Sequence, residues 1–196
     1  MDRQRFIKEY NIRDAKPIDP SSRVLPAEGM ACALANFIND RFRGVAKANA
    51  RVSSYGGVLI SAEYMAYFFK TLFAYVYGRC FLEIDITNDN DRMSILIRYD
   101  GELPVSDTEM RDLVRIARNA KTEILVKPGE INLQLKFEDA ARRRVYAISV
   151  NDGSRIMLST MGEIFYSGEY YPDKPADPPS PRAQKPKAQR KTNGKG

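Results

Sequence analysis

The residues able to do chemistry are few and widely spaced. Tyr99, Asp100 and Gly101, followed by Glu102 and Leu103, set a carboxylate beside a residue with backbone freedom. That pairing serves a ligand-accepting loop and equally a plain turn whose glycine relieves strain. Asp85, Asp89 and Asp91 are magnesium ligands by type, but a hard cation needs convergent oxygens. Spread over a strand and its turn, they read as solvated hairpin residues. Ser106 with Glu109 three residues later has the spacing of a capping box, which starts a helix rather than moving protons. Cys32 and Cys80 stand in no CxxC pair and have no histidine beside them, so neither a disulfide framework nor a zinc site is indicated. No base is placed to activate either thiol. Arg142, Arg143 and Arg144 adjoin Glu138 and Asp139 and fit a solvated helix end, with contact to nucleic acid or an acidic protein as the rival reading.

The elements that must hold these residues follow from hydrophobic spacing. Met30, Ala33, Leu34, Phe37, Ile38 and Phe42 recur at three- and four-residue intervals and predict a helix over 27–46. A short strand at 51–54, a turn at Gly56 and Gly57 and a strand at 58–60 lead to Ser61, a good N-cap. The helix it opens, 62–77, carries the broad stripe Met65, Phe68, Phe69, Leu72, Phe73 and Val76, with Gly78 placed to end it. Strands at 81–86 and 93–99 flank a turn at Asn88, Asp89, Asn90 and Asp91. The capping box then begins a helix through Ala120.

Residues 130–144 carry two periodicities at once. Ile131, Leu133, Leu135 and Phe137 alternate as in a strand, while Leu133, Phe137, Ala140 and Ala141 suit a helix. The poor strand composition of Glu138, Asp139, Ala140, Ala141 and Arg142 favours a helix over 130–142, with a strand over 131–137 as the alternative. A hairpin over 145–150 and 155–159, turning at Asn151, Asp152, Gly153 and Ser154, and an extended piece at 163–166 close the body.

The chain has 196 residues, 43% of them hydrophobic, which is enough for one core and short for two. Three segments are expected: a peripheral lead-in over 1–26, broken by Pro17, Pro20 and Pro26, one α/β domain over 27–171, and a disordered basic tail over 172–196. Six of those last 25 residues are proline and no large apolar residue follows Tyr171, so ordering them brings little compensation for lost entropy. Residues 174–196 hold seven basic residues and one acid, Asp177, and so account for the whole formal charge of +6. The body is neutral, and the basic pI gives no reason to expect a positive groove on it. No secretory signal and no membrane-spanning run is present in the sequence, and a cytoplasmic location is expected.

Taken in order, the helix 27–46, the strands at 51–54 and 58–60, the helix 62–77, the paired strands, the Asp-Gly junction, a helix in a variable region and two terminal strands resemble the ATP-binding domain shared by sensor histidine kinases, anti-sigma-factor kinases and the chaperone and gyrase ATPases. The resemblance covers about 140 residues. It implies a two-layer α/β sandwich whose mixed, largely antiparallel sheet is covered on one face by helices 27–46, 62–77 and 107–120.

In that family the long helix carries an asparagine that helps hold magnesium and the phosphates. Within Lys70, Thr71, Leu72, Phe73, Ala74, Tyr75 and Val76 the matching place falls on Tyr75, which is no equivalent ligand. The family's aspartate, two residues before a glycine, falls on Tyr99 when Gly101 is matched, or shifts to Asp100 at the cost of that spacing. The glycine-rich lid is reduced to Gly129, and without histidine the chain cannot autophosphorylate on that residue.

The resemblance therefore implies a degenerate scaffold kept for regulatory protein binding, in bacterial signalling or transcription control. No cofactor is expected; Tyr75, Tyr99, Asp100 and Gly101 are whatever ligand site survives. A nucleotide-binding, kinase-like enzyme using ATP and magnesium is the first alternative. A nucleic-acid-associated protein acting through Arg182, Lys185, Lys187, Arg190, Lys191 and Lys195 is the second. A protein partner is expected, and self-association is open.

Overall fold

The structure is a computed structural model that describes residues 22–53, 56–89, 91–137 and 149–166. Strand β1 (Ser22–Pro26) runs into helix α1 (Ala27–Arg41), then strands β2 (Ala46–Val52) and β3 (Gly57–Ser61) and helix α2 (Ala62–Val76). Strands β4 (Leu82–Asp89) and β5 (Arg92–Tyr99), helix α3 (Asp107–Asn119), strands β6 (Glu123–Lys127) and β7 (Glu130–Lys136) and helix α4 (Val150–Tyr166) complete it.

Five strands form one sheet in the order β2-β4-β5-β7-β6, while β1 and β3 make a separate antiparallel ribbon. Within the sheet only β2 and β4 run parallel. Strand alternation sorts the two faces. Leu82, Ile84, Ile86, Met93, Ile95, Ile97, Ile131 and Leu133 are fully buried on one. Glu83, Asp85, Ser94, Arg98, Asn132 and Gln134 take the alternate positions on the other, where Arg98 meets Asp85 at 2.7 Å. One face is thus covered and the other polar, as the expected two-layer sandwich requires.

The helices cover the apolar face and lock to it through specific groups. At the end of α1 the Asn39 amide donates to the Ala48 carbonyl at 2.7 Å and accepts from the Ala48 N–H at 2.9 Å, pinning the helix to the edge of β2. Ser61 caps α2 by accepting from the Tyr64 N–H. The capping box of α3 forms as expected, with Ser106 and Glu109 exchanging bonds. Helix α4 packs on α1 and α2. Its Phe165 ring lies 5.3 Å from Phe37, 4.8 Å from Phe42 and 6.3 Å from Phe73, centroid to centroid, a buried aromatic knot that welds three helices. Among the described residues no helix is long and apolar enough to cross a membrane.

Several expectations are corrected. Helix α1 stops at Arg41 rather than near Ala46, because the chain turns through Phe42 and Val45 and starts β2 earlier than 51. Residues 22–26, assigned to the lead-in, form β1, with Leu25 fully buried. Strand β4 extends to Asp89, so Asn88 is a buried strand residue and not part of a turn. The favoured helix over 130–142 is wrong over 130–136, where the alternating residues form β7; residues 138–148, including Arg142, Arg143 and Arg144, lie outside the described residues.

Of the expected hairpin, residues 145–148 lie outside the described residues, while its second strand at 155–159 and the extended piece at 163–166 are overturned by α4. Asp152 and Gly153 sit in its first turn, where Ser149 accepts from the Asp152 N–H at 3.1 Å. Strands β6 and β7 supply the two terminal strands instead. The tail residues Arg182, Lys185, Lys187, Arg190, Lys191 and Lys195 also lie outside the described residues.

Candidate functional site

The sequence-derived candidates fall at the junction between the end of α2 and the end of β5. Strand β5 finishes at Tyr99, which pairs with Leu82. The chain then bends at Gly101, whose φ of +75° lies in the left-handed region. A Cβ there would meet nothing within 4 Å, so glycine serves the backbone angle and not a close approach. Asp100 beside it is exposed.

Tyr99 is held at both ends by the β6–β7 hairpin. Its N–H donates to the Gly129 carbonyl at 3.1 Å, and its hydroxyl donates to the Lys127 carbonyl at 3.2 Å. Partial burial pushes the phenol above its ordinary value, so the proton stays on the oxygen and the donated bond is kept. Gly129, which the sequence offered only as a remnant of a glycine-rich lid, turns the chain between β6 and β7 at φ +79°.

Cys80 and Arg79 join this cluster. The Arg79 guanidinium donates to the Pro104 carbonyl at 3.3 Å and ties the end of α2 to the loop that follows Gly101. Burial, and then the Asp100 carboxylate, push the Cys80 thiol up. A thiol raised in this way is a poorer nucleophile. Neither role was legible from sequence spacing, since Arg79 and Cys80 acquire their neighbours only when the turn folds back on α2.

Tyr75 lies in the last turn of α2, half-buried at the edge of the core. One turn earlier on the same side, Thr71 is buried with a hydroxyl that finds no hydrogen-bond partner among the described residues. The structure thus ties the loop after Gly101 to the end of α2 through Arg79 and holds Tyr99 on the β6–β7 turn, with Tyr75 about one turn up the helix.

Asp85, Asp89 and Asp91 do not converge. Asp85 is engaged by Arg98, and Asp91 by Arg92 at 3.1 Å, which holds its carboxyl below the usual range. Among the described residues no group of three or more His, Cys, Asp or Glu is placed to hold a metal ion. The chemistry available at the junction is that of two exposed carboxylates, Asp100 and Glu102, beside hydroxyl and guanidinium groups already committed to the protein's own carbonyls.

No family model and no curated protein matches the sequence. The solved structures similar in arrangement include three histidine kinases. The cytoplasmic segment of histidine kinase QseC is 10% identical, with 70% of this chain and 87% of that one covered and a TM-score of 0.40. The Acinetobacter baumannii histidine kinase AdeS is 8% identical, over 70% and 76%, with a TM-score of 0.45. The histidine kinase domain of the Erythrobacter litoralis EL346 blue-light activated kinase is 15% identical, over 74% and 74%, with a TM-score of 0.36. At such scores the likeness assigns no activity.

Proposed function

We propose that this chain is a non-catalytic regulatory domain that binds another protein on a kinase-like ATPase scaffold. The observation that carries the reading is the commitment of Tyr99. Its hydroxyl is spent on the Lys127 carbonyl, at the position where the resemblance calls for a free carboxylate to accept from adenine. Magnesium and ATP do not fit this residue set. Tyr75 offers a phenol where an amide would hold metal and phosphates, and of the scattered carboxylates of β4 and its turn Asp85 and Asp91 are ion-paired.

Asp100 supports the rival reading, nucleotide binding, because its exposed carboxylate is one residue from the required place. Titration of the full chain with ATP and with ADP in the presence of magnesium separates the two. No saturable binding below about 1 mM is expected. Micromolar affinity that is lost on Asp100→Ala or Tyr99→Phe would overturn the non-catalytic reading.

A further inference from the structure

The two edges of the main sheet are treated differently. At β2 the outward N–H and C=O of Ala48 are taken by the Asn39 amide, so α1 closes that edge. At β6 no such cover is present among the described residues, and Leu125 and Val126 are 52% and 42% exposed. An edge strand with apolar side chains and unpaired backbone groups is a template for another strand.

The hydrogen-bond phase of the sheet identifies which groups are free. Because the Tyr99 N–H bonds the Gly129 carbonyl, alternation along β7 sends residues 131, 133 and 135 toward β5 and residues 130, 132 and 134 toward β6. The register pairs these last three with Lys127, Leu125 and Glu123. Ile124 and Val126 therefore point their N–H and C=O out of the sheet, and no hydrogen bond from a described residue reaches them.

We propose that β6 pairs with β6 of a second copy, antiparallel about a two-fold axis at Leu125. In that register Ile124 faces the partner's Val126 as a hydrogen-bonded pair, and the same bonds repeat across the axis. Leu125 meets its own copy at the closer, non-bonded spacing. Glu123 falls opposite the partner's Lys127, twice by symmetry, so the sequence Glu-Ile-Leu-Val-Lys is complementary to itself in charge as well as in backbone phase. A slide by two residues keeps the backbone phase but loses both ion pairs. A strand of five residues buries less than the roughly 1,200 Å² of a standard interface, so a dissociation constant on the order of 10–100 µM is expected.

Sedimentation velocity of the full chain over a concentration series tests this. The wild type is expected to pass from monomer to dimer below about 1 mM. Val126→Pro removes an outward donor and none of the bonds to β7, and should leave a folded monomer. Glu123→Lys or Lys127→Glu alone sets like charges opposite each other twice and should weaken association about tenfold. The double exchange E123K/K127E should restore it to within about threefold of wild type, although it breaks the intrachain pairs of Glu123 with Lys136 and Lys127 with Glu130. A wild type that stays monomeric up to about 1 mM overturns the proposal, even if the edge then accepts a strand from a different protein. So does a dimer indifferent to V126P and to the single reversals in samples that thermal melting shows to be folded.

Discussion

Lys70 sits in the third turn of α2 with only 2% of its surface exposed, and its Nζ donates to the Ile164 carbonyl in the last turn of α4 at 2.7 Å. A cation at a helix C-terminus is favoured by the carbonyl partial charges there, but burial strips its water. Desolvation brings its pKa down from 10.5 to about 8. Because the folded state disfavours the charged form, the unfolded chain binds more protons between those values, and stability rises with pH across that window. The penalty is constant below about pH 8 and fully relieved above about 10.5. Relative to Lys70→Met, the wild type should therefore gain melting temperature as pH climbs from 8 to 10, the other lysines cancelling in the comparison. A flat difference over that range would rule the assignment out. Sequence marked Lys70 only as a member of the stretch leading to Tyr75. Its burial depends on α4, an element the spacing of local turn residues concealed.

At the scale of elements, legibility followed how many periodicities a segment could satisfy. Helix α2 was plain because six bulky residues form one stripe that no strand could hide, and α3 because its cap and its apolar face agree. Strand β7 was obscured by Leu133 and Phe137, which suit either period. Strand β6 drew no expectation at all, since an edge strand of five residues with one half-buried and four exposed positions carries little alternation.

Helix α4 was misread because Asn151, Asp152, Gly153 and Ser154 have turn chemistry. The four-residue spacing of Gly153, Met157, Met161 and Phe165, all buried, was the competing signal. Gly153 is there for contact: a Cβ on it would come 2.8 Å from Pro26 Cδ, and one on Gly29 would land on the Val150 carbonyl oxygen. Gly162, in the same helix, has nothing within 4 Å. Gly162→Ala should stabilise the protein by about 0.5–1 kcal/mol through helix propensity alone. Gly153→Ala should reverse that sign and cost about 1–3 kcal/mol through overpacking. Urea denaturation of the two variants checks the contrast; equal shifts would mean that α4 does not press on the β1–α1 junction.

For the whole molecule, charge separates body from tail more cleanly than any motif does. The open face of the sheet is a field of opposite charges: Arg98 pairs with Asp85, Lys127 with Glu130 and Lys136 with Glu123. Such a face neutralises itself and offers a polyanion no continuous positive track. Phosphate attraction is then expected from residues 174–196, whose seven basic residues and one acid carry the formal charge. For a single-stranded oligonucleotide, counterion release gives a log–log salt slope of about −0.7 per phosphate neutralised, so seven contacts set a limit of about −5. The tail has no aromatic residue on which bases could stack, which leaves the interaction indifferent to sequence. Fluorescence anisotropy at low salt should show weak binding by the full chain with a slope no steeper than that limit, and none after deletion of residues 172–196. Binding that survives the deletion would place a basic surface on the folded body, against the pairing of charges across its sheet. Binding absent from both proteins would leave the tail without a phosphate role and strengthen its alternative use as a segment presented to a protein partner.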